Sequence, residues 1–158
     1  MYREVFFLRI NTIERTQLIG TDIESAWDFF SDPSKLAEIT PDWLNFRVVS
    51  PLAPRMYEGM IVEYRIKPFA GVSVQWVTEI THVDEPGFFV DEQRFGPYKF
   101  WHHKHFFEET ENGVLMSDSV HYSLGFGPAG SLIHHFYVRK KLEEIFDYRY
   151  EKLERIFG

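Results

Sequence analysis

The sequence predicts an α+β fold in which an antiparallel sheet is followed by one long helix. From Phe46 to Leu124, runs rich in β-branched and aromatic residues alternate with short turn sequences. Short links between consecutive strands imply antiparallel neighbours. Beyond residue 130 the apolar residues change to helical spacing, which continues to Phe157. No linker or change of composition divides the chain, so we expect a single domain, 1–158.

The residues before the sheet predict one strand and two short helices. Residues 5–19 are rich in Val, Phe, Ile, Thr and Leu and show little helical periodicity, which favours a strand. Thr21 and Glu24 have the spacing of a capping box, with Thr21 as the N-cap of the first helix. Asp32 and Pro33 then predict the start of a second short helix, because they are typical N-cap and first-turn residues.

Six further strands follow from the spacing of the turn residues. We expect them near residues 45–50, 60–67, 73–83, 87–94, 98–109 and 114–124. Asn112 and Gly113 are typical of a two-residue type I′ hairpin loop between the last two strands. A loop at these residues would pair His103 with Tyr122. Together with the first strand, the sheet would have about seven strands.

A glycine-rich segment separates the last strand from the final helix. Gly125, Gly127 and Gly130 have the spacing of a dinucleotide-binding loop, but no βαβ unit surrounds them. We therefore interpret the segment as a joint, with Ser131 as the cap of a helix that continues to Phe157.

Composition and charge narrow the class of partner. The net charge is −7 and no long basic run occurs, which argues against nucleic acid or an anionic membrane as the main partner. The absence of cysteine excludes disulfides, thiolate metal sites and a cysteine nucleophile. No apolar run is long enough for a signal peptide or a membrane span. A cytoplasmic protein without membrane insertion is the resulting expectation.

The most informative segment is 96–108, which contains three histidines and five aromatic residues in one predicted strand. Side chains alternate between the two faces of a strand, so Trp101, His103 and His105 share one face and His102 lies on the other. The predicted partner strand presents large apolar residues towards the first set. We therefore predict that His103 and His105 face the interior.

Buried imidazoles need partners, and the sequence offers three explanations. His103 and His105 can hydrogen-bond Asp118, Tyr122 or the segment 91–93 as a polar layer of the core. They can instead contact a bound ligand. As a third explanation, their spacing could place two imidazoles on one metal ion with Asp118 as a further ligand.

A carboxylate of the preceding strand could also reach the histidines. A two-residue loop between the two strands would turn Glu92 towards Trp101. A three-residue loop would instead turn Asp91 and Gln93 inward, and the sequence leaves both loops open. A carboxylate beside an imidazole raises the imidazole pKa and creates a usable proton donor.

Short motifs spread over most of the chain carry a family likeness. They are Thr40-Pro41 with Trp43-Leu44, Asp91-Glu92-Gln93, Gly96-Pro97-Tyr98, Trp101 with His103 and His105, and Asp118 with Tyr122. With the order of elements, these motifs resemble the START-like superfamily, also called SRPBCC, from about Val5 to Phe157. Within it, the chain looks most like an uncharacterised bacterial branch of ligand-binding proteins related to polyketide cyclases and dehydratases.

The resemblance implies the helix-grip fold, in which a curved sheet wraps the C-terminal helix and leaves a cavity between them. It also implies that the cavity binds a small hydrophobic molecule, aromatic or lipid-like. The expected ligand contacts are Trp76, Trp101, His103, His105 and Tyr122. The alternative is an enzyme of cyclase or dehydratase type, with catalytic residues His103, His105, Asp118 and Asp91. We predict no cofactor and no resident metal, and the sequence leaves the oligomeric state open.

Overall fold

The structure is a computed structural model that describes residues 9–69, 71–125 and 134–158. A seven-stranded antiparallel sheet forms most of it. Its strands are β1 Asn11–Ile19, β2 Arg47–Val48, β3 Ile61–Phe69, β4 Val72–Asp84, β5 Phe88–Phe95, β6 Phe100–Thr110 and β7 Gly113–Ser123. Their order across the sheet is β1-β7-β6-β5-β4-β3-β2. The curved sheet wraps a long C-terminal helix, which confirms the predicted α+β helix-grip fold.

The two short helices and the long C-terminal helix lie where the sequence predicts them, and a further 3₁₀ turn at Asp42–Leu44 was not predicted. They are α1 Ile23–Phe30, two 3₁₀ turns at Pro33–Ala37 and Asp42–Leu44, and α2 Arg139–Phe157, which a π-helical turn at His134–Val138 precedes. None of the helices in the described part of the chain is long and apolar enough to cross a lipid bilayer. The predicted cap Ser131 and most of the glycine-rich joint lie outside the described residues.

The first helix is capped by Asp22 and not by Thr21. The carboxylate Oδ1 of Asp22 accepts a hydrogen bond from the backbone N–H of Ser25 at 2.8 Å. The prediction that Thr21 is the N-cap was therefore wrong by one residue. Asp32 caps the next helical turn as predicted, because its Oδ1 accepts from the Ser34 N–H at 2.9 Å.

The hairpin of β6 and β7 has a different register from the predicted one. Thr110 pairs with Gly113, so Glu111 and Asn112 form the loop and His103 lies opposite Val120. The observed loop begins one residue earlier than the predicted one. As a result, each residue of β6 pairs with a residue of β7 that lies two positions before the predicted partner. A shift of two residues leaves every side chain on the same face. His103 and His105 are accordingly buried, as predicted.

Gly113 explains why the loop lies one residue earlier. Its φ angle is +128°, and a Cβ there would lie 2.2 Å from the carbonyl oxygen of Ile19. Glycine is thus required by the close approach of the end of β1, where Ile19 pairs with Val114. The same residue was interpreted in the sequence as a turn signal.

Three clusters of buried side chains pack between the sheet and the helices. The first lies under α1, where Trp27 meets Phe89 and Phe107 edge to face at centroid distances of 5.9 and 6.1 Å. The second joins β1, β6 and β7 to α2 through Phe146. The third lies on β3 and β4 around Tyr64.

Candidate functional site

A cavity of about 210 Å³ lies between the inner face of the sheet and α2, where the three clusters meet. Aromatic and aliphatic side chains make up most of its wall, including Tyr64, Trp76, Phe89, Trp101, Leu142 and Phe146. At the rim, the Lys141 ammonium lies 4.6 Å from the ring centroid of Trp43. The Tyr137 hydroxyl donates to the carbonyl of Pro68 at 3.2 Å. These two contacts connect the π-helical turn and the start of α2 to the 3₁₀ turn Asp42–Leu44 and to the end of β3.

An aromatic group forms one side of the cavity. Trp76, Tyr98 and Trp101 pack with centroid distances of 4.8 to 5.5 Å. The indole N–H of Trp76 donates to the Thr78 hydroxyl at 3.0 Å, which satisfies its polar edge. Trp76 and Trp101, both expected from the sequence as ligand contacts, line the cavity.

The inner wall of the cavity is polar, because Asp91, His103 and His105 lie there together. Nε2 of His105 donates to Oδ2 of Asp91 at 2.8 Å. Nδ1 of His103 lies 3.4 Å from the same carboxylate oxygen. Both histidines are nearly inaccessible to solvent, whereas the Asp91 side chain keeps 18% of its surface exposed. Asp91 is thus the most accessible of the three groups.

Asp118 lies behind the two imidazoles. Its Oδ1 accepts a hydrogen bond from His103 Nε2 at 2.7 Å and lies 3.1 Å from His105 Nδ1. The second contact is misaligned for a hydrogen bond, so we regard it as an electrostatic contact. The imidazole rings lie between Asp91 and Asp118, with their centroids 3.8 Å apart.

Strand pairing explains this arrangement. Asp91 of β5 pairs directly with His103, and Asp118 of β7 pairs directly with His105. All four side chains point to the inner face because the strands alternate with period two. Two carboxylates from neighbouring strands therefore flank two imidazoles of the central one.

The pairing of β5 with β6 also decides which carboxylate faces the cavity. Asp91 faces inward, the orientation expected for a three-residue loop, although the paired residues end at Glu92 and His102 and the connection is longer than either predicted loop. Glu92 faces outward, where its carboxylate binds His102 Nδ1 at 2.6 Å. The Gln93 amide holds the turn by donating to the Tyr98 carbonyl at 2.7 Å and accepting from the Tyr98 N–H at 3.1 Å.

Arg149 is a member of the site that the sequence reasoning missed. It comes from α2, is 8% exposed, and places Nη1 3.7 Å from Asp118 Oδ1. Its position was a usable signal, because it falls at helical spacing on the buried stripe of Leu142, Phe146 and Leu153. A charged residue at such a position needs a buried counter-charge.

Both carboxyl groups of the site are ionised. Burial disfavours the charge on Asp118, but the hydrogen bond from His103 and the close contact with His105 outweigh it and hold the pKa of Asp118 well below its usual range. Burial also opposes ionisation of Asp91. Attraction to His103 and the hydrogen bond from His105 nevertheless lower the pKa of Asp91.

The pKa values of the two histidines are shifted in opposite directions. Burial and the neighbouring positive charge of His105 lower the pKa of His103. Burial acts in the same sense on His105, but its interactions with Asp118 and Asp91 outweigh burial and raise its pKa. The cluster is neutral overall when His105 and Arg149 are charged and both carboxylates are ionised. This balance explains how so many ionisable groups are tolerated in a buried place.

Tyr122 supports the wall from behind. It pairs with Trp101 across the strands and meets Tyr98 edge to face at a centroid distance of 5.9 Å. Burial raises the pKa of Tyr122 to about 12, so the phenol keeps its proton at neutral pH. The cavity-lining residues do not include Tyr122, although the sequence suggested it as a ligand contact.

Comparison with known proteins finds structural likeness without sequence likeness. No protein-family model matches the sequence, and no curated protein matches it either. Solved structures with a similar fold include protein CV1439 of Chromobacterium violaceum, at 14% identity and a TM-score of 0.70 over 93% of this chain and 96% of that one.

Two further solved structures share the fold. A point mutant of the norcoclaurine synthase of Thalictrum flavum, in complex with a transition-state analogue, is 11% identical with a TM-score of 0.65 over 96% of this chain and 99% of that one. Ara h 8.0201 is 15% identical with a TM-score of 0.61 over 92% and 98%. These likenesses show the fold that the chain shares with them.

Proposed function

We propose that this protein binds one small apolar molecule, aromatic or lipid-like, in the cavity between the sheet and α2. The observation that supports the proposal most strongly is the cavity itself, which has aromatic side walls and a polar inner wall. A few polar groups among many apolar ones are the usual composition of a small-molecule site. From the sequence motifs we also propose that the protein belongs to the uncharacterised bacterial ligand-binding branch. The lack of a long apolar run supports a cytoplasmic location.

The size of the cavity suggests a ligand of one or two rings. A dry cavity of about 150 Å³ accepts benzene, and the cavity here measures about 210 Å³. Asp91 is the most accessible group of the inner wall and only accepts hydrogen bonds when ionised. A ligand with a hydroxyl or amine donor at one end therefore fits better than a pure hydrocarbon.

Titration with the neutral fluorophore 1-naphthylamine, which has two fused rings and an amine donor, tests this function. We expect one molecule bound per chain, with a blue shift of the probe emission as the rings leave water. Leu142→Trp places an indole ring in the cavity from α2. Since overpacking costs about 1–3 kcal/mol, we expect its affinity for the probe to fall about 5- to 160-fold. The matched control is Ile156→Trp, which adds a similar volume to an exposed position of the same helix.

The proposal fails if the wild type does not bind the probe, or if Leu142→Trp and Ile156→Trp bind it equally well. Melting temperature and circular dichroism identify any variant that is unfolded. In that case Thr78→Leu, which changes a cavity-lining residue on β4, replaces Leu142→Trp in the comparison.

The second candidate function is an enzyme of cyclase or dehydratase type. Its support is the position of His105 between two carboxylates at the wall that a bound ligand would meet. His103, Asp91 and Asp118 would assist the proton transfer. With a ligand identified as a substrate, we expect His105→Gln to lower kcat at least about 100-fold while its Kd changes little. His102→Gln, on the outer face of the same strand, is the control, and an equal effect of both variants would contradict an enzymatic role.

A further inference from the structure

We propose that Asp91, His103 and His105 together bind a divalent transition-metal ion at the inner wall of the cavity. Each side chain offers one ligand atom, and these atoms all lie within 4.8 Å of one another. The Asp91 oxygen lies 3.4 Å from His103 Nδ1 and 2.8 Å from His105 Nε2. Ligands with bonds of about 2.1 Å to one ion lie about 3.0 to 3.4 Å apart. The two distances to Asp91 are close to these values, and a closer approach of the three groups by no more than about 1.8 Å lets them share an ion.

Asp118 gives His103 the hydrogen-bonded support that metal-binding histidines usually have, and it contacts His105 electrostatically. In protein metal sites, the second ring nitrogen of a ligating histidine commonly donates to a carboxylate or carbonyl. Here Asp118 Oδ1 lies 2.7 Å from His103 Nε2 and 3.1 Å from His105 Nδ1. Each ring therefore has one nitrogen directed at Asp118 and the other at Asp91.

A structural polar layer explains the contact of His103 with Asp118 and that of His105 with Asp91, but not the contact of His103 with Asp91. When His103 is neutral and carries its only proton on Nε2 for Asp118, the lone pair of Nδ1 faces the Asp91 carboxylate. A lone pair and a carboxylate repel each other. A cation between Nδ1 and Asp91 removes the repulsion.

The ion belongs on the Asp91 side of the rings and not on the Asp118 side. The Arg149 guanidinium already lies 3.7 Å from Asp118 Oδ1, and its charge opposes a second cation there. The Asp91 side opens onto the cavity, and three protein ligands leave at least one coordination position free for water or a ligand atom.

The donor set indicates the class of ion. Two imidazole nitrogens and one carboxylate oxygen suit Zn²⁺, Fe²⁺ or Co²⁺ better than Mg²⁺ or Ca²⁺, which prefer oxygen ligands. Binding displaces the proton that His105 Nε2 donates to Asp91, and this proton passes to solvent.

Titration of tag-free, chelator-treated protein with Co²⁺ tests the proposal, because Co²⁺ bound by nitrogen and oxygen ligands absorbs visible light. We expect one ion per chain and no displacement by excess Mg²⁺. His103→Gln, His105→Gln and Asp91→Asn should each weaken Co²⁺ binding by more than the about 10- to 100-fold expected for Asp118→Asn. His102→Gln is the matched control on the outer face of β6, where it contacts Glu92, and it should leave the Kd unchanged.

Absence of a saturable Co²⁺ spectrum in the wild type would overturn the proposal. The same holds if His102→Gln weakens binding as much as His103→Gln, which would mean adventitious surface binding. Asp91→Asn is the decisive variant if a histidine variant does not fold, because its side chain is partly exposed and keeps its shape. Unchanged Co²⁺ affinity in Asp91→Asn would also overturn the proposal. Apolar probe binding by metal-free protein is measured separately, so either proposal can fail alone.

Discussion

Asp118→Ala lowers the free energy of unfolding by about 3–5 kcal/mol, because it removes one partner of a buried ion pair and leaves the others uncompensated. Asp118 is 2% exposed and lies within 3.7 Å of the charged or polar nitrogens of His103, His105 and Arg149. Without the carboxylate, Arg149 keeps its charge in a place that water hardly reaches. Urea denaturation at neutral pH measures the loss.

Asp147→Ala is the control for this prediction. Asp147 lies on the same helix as Arg149, forms an ion pair of 3.9 Å with Arg15, and has a side chain that is 72% exposed. Such an exposed pair contributes about 0–1 kcal/mol. A loss below about 1 kcal/mol for Asp118→Ala, similar to that of Asp147→Ala, would show that the polar cluster does not stabilise the fold.

Trp27→Ala is the second large prediction, with an expected loss of about 3–5 kcal/mol in the free energy of unfolding. Trp27 is 3% exposed and holds α1 on the sheet through edge contacts with Phe89 and Phe107. Its removal leaves a void that the neighbouring rings cannot fill. Phe89 also stacks on His105 at a centroid distance of 4.0 Å, so this packing supports the polar wall.

Trp43→Ala is the matched control, because Trp43 is 42% exposed at the cavity rim and its ring contacts Lys141. Truncation there should cost less than about 1 kcal/mol, as expected for an exposed cation–π pair. If both substitutions lowered the melting temperature equally, α1 would not be held by Trp27 as described.

The alternation of side chains predicted which face of β6 is buried. Trp101, His103 and His105 share that face because the period of a strand is fixed at two by its geometry. The amphipathic spacing of the last segment likewise predicted α2. Both predictions depend on local periodicity, which the amino-acid order contains directly.

The register of the β6–β7 hairpin could not be predicted in the same way. A glycine at position 113 can serve either a tight turn or a close approach of two strands. Only the tertiary structure shows that Gly113 is needed for the close approach to Ile19. The N-cap of α1 is a similar case, because Thr21 and its neighbour Asp22 are both good cap residues.

The sequence alone also does not determine which residues form the polar wall. Asp91 faces inward because of the register of β5 on β6. The sequence allowed two registers, and only one of them turns Asp91 inward. Arg149 reaches Asp118 across the core from α2, and such a contact between distant segments has no local signal beyond a charged residue on an apolar stripe. The cavity is less predictable still, because the number of aromatic rings does not determine whether they fill the space between sheet and helix.

The fold itself does not decide between a carrier and an enzyme, because one fold serves several activities. The cavity and its polar wall are therefore the evidence for a binding site. That wall offers a hydrogen-bonding group, an acid–base pair and the donor set for a metal ion, all from Asp91, His103 and His105. Ligand binding, turnover and metal binding can be measured separately in the variants of these residues.

A crystal structure of the protein with 1-naphthylamine tests the central claim most directly. We expect probe density between α2 and the sheet, in van der Waals contact with Trp76 and Trp101 and with its amine directed at the Asp91 carboxylate. A cavity filled by side chains, or a probe bound only on the outer face of the sheet, would contradict it.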